Sequence, residues 1–217
     1  MYFCLFRIEI YNYLRQMANE MKTENEVSAL TVDKLIRSRR SIYPRAYNEQ
    51  EITDEEIWHV LENANWAPTH KKTEPWRFRV LRGNALERLG DFLADAYKRK
   101  TPRELFSDVK FEKMRTKTTR ASCVIAIYMQ RDSEERLPEW EEIAAVASAV
   151  QNMWLTCTAM GIGAYWSSPS AFINTRDFTE VEPGERCLGL FYMGKCEKVD
   201  LPGKRGSVRD KVIWITE

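Results

Sequence analysis

The 217 residues include only two histidines, nine glycines and five cysteines, and none of these falls into a metal or nucleotide signature. Cys4, Cys123, Cys157, Cys187 and Cys196 form no C-x-x-C pair, and neither His59 nor His70 lies near a cysteine in sequence. This disfavours a zinc site and a disulfide framework, and the odd thiol count fits a reducing cytoplasm. No G-x-G-x-x-G joins an early strand to a helix and no P-loop occurs, so a Rossmann domain lacks support. Charge of one sign is also missing: the net charge of +1 offers no global attraction to nucleic acid or to an anionic membrane. The apolar start Met1–Phe6 is broken by Arg7 and Glu9 and lacks a small-residue cleavage site. It is a poor signal peptide and too short to span a bilayer.

What is present is ordinary for a globular protein: 44% hydrophobic and 30% charged residues, in a chain long enough for one real core. We divide it into an N-terminal extension, residues 1–28, and one domain, 29–217. The extension reads either as a helical segment or as residues upstream of a true start at Met17 or Met21.

Periodicity predicts a helix over Val32–Arg40. Thr53-Asp54-Glu55-Glu56 is a capping box, and Ile57, Val60, Leu61 and Ala64 behind it repeat as one buried helical face. Arg77–Leu81 alternates like a strand, with Phe78 and Val80 on one side. Asn84 then suits the N-cap of a helix carrying Leu86, Leu89, Leu93 and Ala96. Ser122–Met129 is a β-branched apolar run, expected to be a strand buried on both faces. Pro138 opens a long apolar helix through Met160, which Gly161 and Gly163 stop. Ala164–Ser167 and Cys187–Met193 read as strands, and Lys211–Thr216 as a terminal one. The order gives an α+β fold, a mixed sheet with helices on both faces.

Three segments carry chemistry. Arg39-Arg40-Ser41 sets two always-charged, planar donors beside a hydroxyl, the groups a phosphate monoester needs, although arginines ending a helix also serve its dipole. Ala67-Pro68-Thr69-His70-Lys71-Lys72-Thr73-Glu74-Pro75-Trp76 has prolines and polar residues that exclude helix and strand, so it is a shaped loop. Gly161-Ile162-Gly163-Ala164-Tyr165-Trp166-Ser167-Ser168 follows the long helix. Taken alone, Trp166 would be core and His70 a solvent-facing loop residue, with Glu74 paired to Lys71 or Lys72.

Together these segments resemble the FMN-dependent nitroreductase family over Val32 to the C-terminus. The resemblance implies a nitroreductase-like, intertwined homodimer with FMN at the subunit interface. It also implies that Arg39, Arg40 and Ser41 hold the FMN phosphate and ribityl chain, and that Arg205 completes the phosphate site, with Lys204 and Arg209 as competitors. Thr69, His70 and Glu74 reach the flavin of the other subunit, and Trp166, Ser167 and Ser168 line its ring. Two residues depart from one subgroup of the family, Glu74 for glutamine and Ser167 for arginine. A carboxylate accepts but cannot donate, and its charge disfavours the reduced flavin.

The activity implied is ping-pong transfer of hydride from NADH or NADPH, through FMN, to a small electron-poor acceptor such as a nitroaromatic, quinone or enone. No side chain is singled out as acid or base, Tyr165 and His70 being the available donors. Other flavin chemistry and a non-catalytic binding module that keeps the fold are the alternatives. Between Lys98 and Arg120 stand nine basic residues against three acids. This segment reads as a solvated helix pair or as a flexible lid that attracts an NAD(P)H phosphate. With only Phe106 and Phe111 for stacking, nucleic acid is not an expected partner.

Overall fold

Strict alternation along β2 (Cys123–Gln130) sets the layering. Cys123, Ile125, Ile127 and Met129 enter one buried cluster, while Val124, Ala126 and Tyr128 enter another. A strand with period two does this only when both its faces are covered. The computed structural model describes residues 28–197 and 202–217. The reading of the first 27 residues, including the candidate starts Met17 and Met21, lies outside the described residues. The chain divides between Arg37 and Ser38 into two units. In the first, α1 (Ala29–Ser38) begins and ends earlier than the spacing predicts.

In the second unit, β2 lies between β1 (Trp76–Leu81) and β4 (Glu185–Lys195), and β3 (Ile162–Ser167) closes the other edge, in the order β1-β2-β4-β3. All three pairings are antiparallel. The sheet among the described residues is therefore not the mixed one expected. β2 and β3 do run in the same direction, as a strand-helix-strand unit should, but β4 is inserted between them. The expected strand Lys211–Thr216 is also absent: Arg209–Lys211 forms a single 3-10 turn, and the residues after it join no strand.

One face of the sheet is covered by α2 (Asp54–Asn65) and α5 (Glu139–Ala159). The capping box that starts α2 is formed in both directions, Glu56 N to Thr53 Oγ1 at 3.2 Å and Thr53 N to Glu56 Oε2 at 3.0 Å. Such a cap contributes about 1 kcal/mol, and it sets the helix so that Ile57, Val60 and Ala64 are buried on α5 and the sheet. Each large apolar side chain so buried contributes roughly 1.5–3 kcal/mol. Pro138 caps α5, and Gly161, at φ +68, ends it in left-handed backbone. Gly163 belongs to β3 instead of the stop: its absent Cβ leaves room for the Tyr47 ring, which a Cβ would approach to 2.8 Å.

The other face carries α3 (Asn84–Lys100), α4 (Asp108–Thr119) and the single turn α6 (Ser170–Ile173). Leu86, Leu89 and Leu93 of α3 pack on β2 and β4 as expected. Gly83, at φ +52, holds the N-cap position and Asn84 is the first helical residue, so the expected Asn84 cap is displaced by one. Among the described residues, no helix is long and apolar enough to cross a membrane.

Candidate functional site

Three guanidiniums meet beside β3. Because α1 ends at Ser38, Arg39-Arg40-Ser41 leaves it as non-helical backbone. Ile42 N donates to Ala164 O at 3.0 Å, which pins this segment to the edge of the sheet. Trp154 of α5 donates through Nε1 to both Arg40 O and Ala164 O at 3.1 Å. The Arg39 guanidinium lies over the same indole, 4.6 Å from its centre. Its Nη1 is buried without a hydrogen-bond partner, and its pKa is lowered by burial first, then by the charges of Arg205 and Arg40. The turn Gly203–Gly206 is therefore close by, and a Cβ on Gly203 would stand 2.4 Å from Arg40 Nη2. Ser41 is half-buried next to these cations. Positive charges of this density with an unused buried donor suit a dianionic acceptor such as a phosphate monoester.

β3 continues the site. Ala164 points into the α2/α5 cluster and Tyr165 into the other, so by alternation Trp166 and Ser167 face opposite sides. Trp166 packs against the first cluster, with a buried Nε1 that has no partner. Gly189 makes this possible: at φ +133, a Cβ there would come within 2.7 Å of Trp166 Nε1 and 2.4 Å of Ser167 O. The register of β2 and β4 shifts at Ile127/Tyr128, opposite this glycine. Ser168 follows the strand and is exposed.

The loop before β1 holds Thr69, His70 and Glu74. Lys71, Lys72 and Glu74 all have positive φ, an uncommon state for residues with side chains. Hydrogen bonds hold the shape: Glu74 N to Thr69 Oγ1 at 3.3 Å, Arg77 Nη1 to Glu74 O at 2.9 Å, and His70 Nδ1 with Glu141 Oε2 at 2.7 Å. Lys71 Nζ donates to Arg136 O, not to Glu74, whose exposed carboxylate forms no ion pair among the described residues. This loop leads into β1, one edge of the sheet, whereas Arg39–Ser41 lies beside β3, the other edge. Three strand spacings, about 14 Å, separate the two edges. Within one chain the two sets of candidate residues do not come together.

A groove of about 720 Å³ opens where Ser167 and Tyr165 meet the turn Tyr43–Arg45 and helix α4. Sequence reading passed over Tyr43, Arg45 and Trp154, which show no local motif. The basic segment is also not a loose lid. Its helices pack so tightly that a Cβ on Gly90 would lie 2.1 Å from Arg115 O, and Phe106 stacks on Tyr97. Lys98, Arg99 and Lys100 end α3, where they complement its dipole.

The buried carboxylates are already engaged. Glu142 accepts from Arg131 and from Asp132 N, and Glu185 from Arg79 and Glu182 N. Neither is free to act as a base. Among the described residues no cluster of His, Cys, Asp or Glu could hold a metal ion.

The fold and this site define an α+β protein that presents a cation cluster suited to a phosphate beside an aromatic strand. The Nitroreductase family model matches residues 36–195, and the chain belongs to that family, the NAD(P)H-dependent flavin oxidoreductases. YfhC of Bacillus subtilis, provisionally named an NAD(P)H nitroreductase, is 27% identical over 181 residues, covering 82% of this chain and 90% of the relative. The nitroreductase-like family protein of Bacillus cereus superposes with a TM-score of 0.70 at 22% identity, over 88% of this chain and 98% of that one. The FMN-dependent nitroreductase NfnB of Mycobacterium smegmatis, solved with NADPH, gives 0.67 at 19% identity, over 87% and 99%.

Proposed function

We propose that this chain is an FMN-dependent oxidoreductase that takes electrons from NADH or NADPH and passes them to a small electron-poor acceptor. The observation that carries the reading is the buried, unpartnered Nη1 of Arg39, set among the charges of Arg40 and Arg205. FMN ends in a phosphate monoester, and that donor set fits it. Arg39, Arg40, Ser41 and Arg205 would hold the phosphate end, and Trp166, Ser167 and Ser168 would line the ring. When bound, FMN supplies hydride transfer, chemistry no side chain of this protein can perform.

The chain's own residues bind and orient. Trp154 fixes the backbone at Arg40 and Ala164, so the guanidiniums and β3 keep one geometry. The separation of the Thr69-His70-Glu74 loop from Arg39 in one chain favours a homodimer, in which this loop closes the partner's site. Exposure of Trp58, Trp66, Trp140 and Trp214, between 65% and 86%, is consistent with surface that a second copy covers.

The visible spectrum of the purified protein tests the reading. Flavin bands that bleach anaerobically on adding NADH or NADPH are expected. A colourless protein that also fails to take up added FMN would overturn it in favour of a binding module that has kept the fold.

A further inference from the structure

The groove between the Tyr43–Arg45 turn and α4 carries positive charge that nothing in it neutralises. Arg45, Lys113, Lys117 and Arg120 line it, and no acidic side chain does. Arg115, on the same helix, is instead satisfied by Asp91 and Glu112 outside the groove. The floor is aromatic. The Tyr43 and Tyr165 rings lie 4.9 Å apart, and Lys117 Nζ stands 4.9 Å from the centre of Tyr165 and 4.7 Å from that of Tyr192. The Tyr165 hydroxyl is buried beside Ser167 and Tyr192, which fixes the ring that floors the groove. Burial, then the charge of Lys113, lowers the pKa of Lys117, and a bound anion offsets both.

The geometry points to a planar aromatic acceptor bearing a carboxylate, its ring against Tyr43 and Tyr165 and its carboxylate among Arg45, Lys113 and Arg120. The volume suits a one- or two-ring molecule, since small-ligand pockets run from about 300 to 1,000 Å³. Ser167 opens the groove toward the position assigned to the flavin ring, so the end of a ligand that reaches it is the reacting end. The word acceptor rests on the oxidoreductase reading; the anion site does not. For a nitro acceptor the balance is ArNO2 + NAD(P)H + H+ giving ArNO + NAD(P)+ + H2O, with the proton from solvent.

Calorimetry on the purified protein with benzoate and with the isosteric neutral benzamide separates the two ideas. Benzoate should bind about tenfold tighter, as one good charge-assisted contact implies. The advantage should shrink with added salt and collapse in Lys113→Gln/Arg120→Gln. Equal affinities, or a benzoate preference that survives the double variant, would overturn the inference. In kinetics the same preference should appear as a higher kcat/KM for 4-nitrobenzoate than for 4-nitrobenzamide. If benzoate binds as expected but neither nitro compound is turned over, the groove stands and the redox reading fails. A double variant that loses only its preference for NADPH over NADH, and keeps that for benzoate, would assign the cations to the donor and overturn the acceptor site.

Discussion

Arg39 and Trp154 act as one unit. The guanidinium lies 4.6 Å from the indole centre, while the indole N–H ties Arg40 O and Ala164 O together. Replacing Trp154 with Phe keeps an aromatic surface for Arg39 but removes the donor. A net hydrogen bond is worth about 0.5–1.5 kcal/mol, so FMN should bind roughly three- to tenfold more weakly in Trp154→Phe. Fluorescence titration of the apoprotein checks this, and unchanged affinity would mean the clamp does not position the cations.

How far the sequence reveals this site depends on distance along the chain. The capping box at Thr53–Glu56, the apolar alternation of β2 and the leucines of α3 are local patterns, and they appear in the structure where periodicity puts them. Arg39 and Arg40 were legible through their motif, and the buried Nη1 then gives that motif a physical reason. The insertion of β4 between β2 and β3 was not legible, because a strand's neighbours depend on the whole topology. Nor were Tyr43, Arg45 and Lys117, whose meeting depends on how α4 packs beside the Tyr43–Arg45 turn. The missing terminal strand has the same origin: Lys211–Thr216 has strand-like composition, but no sheet edge among the described residues pairs with it.

Gly189 shows another long-range requirement. Its φ of +133 and the 2.4 Å approach of a would-be Cβ to Ser167 O leave no room for a side chain. Gly189→Ala should cost about 1–3 kcal/mol through overpacking and backbone strain, and displace the Trp166 indole and the Ser167 backbone on β3. A lowered melting temperature together with an altered flavin spectrum is the expected result. A lowered temperature with an unchanged spectrum would confine Gly189 to a packing role.

The Glu74 carboxylate is exposed on a loop whose backbone is locked in left-handed geometry. If this loop closes over a partner's flavin, its negative charge disfavours the electron-rich reduced state. Glu74→Gln should then raise the midpoint potential by on the order of 10–20 mV, the equivalent of about 0.5–1 kcal/mol for a two-electron couple. Spectroelectrochemistry reads this directly, and no change or a fall would count against the contact.

Ile213, Trp214 and Ile215 are between 86% and 88% exposed in the single chain. Three adjacent exposed apolar residues outside any helix or strand are poorly suited to water and well suited to another subunit's surface. Removing residues 213–217 should weaken self-association, seen by analytical ultracentrifugation as a shift toward monomer. An unchanged dimer would put the interface elsewhere.

The Glu56 carboxylate completes the capping box and also receives Lys195 Nζ, and the Lys195 bond is the main cause of its lowered pKa. A carboxyl with a folded-state pKa below its unfolded value stabilises the protein above the unfolded value, near pH 4, and that contribution is lost as pH falls through the folded one. Glu56→Gln keeps an acceptor for Thr53 N but removes the charge, and with it the titration. The variant should therefore be less stable than the parent at pH 7, by an amount that shrinks as pH falls below about 4. Urea denaturation at several pH values measures the gap. A gap that stays constant down to pH 2 would mean that the ionised carboxylate is not what Lys195 and the helix start depend on.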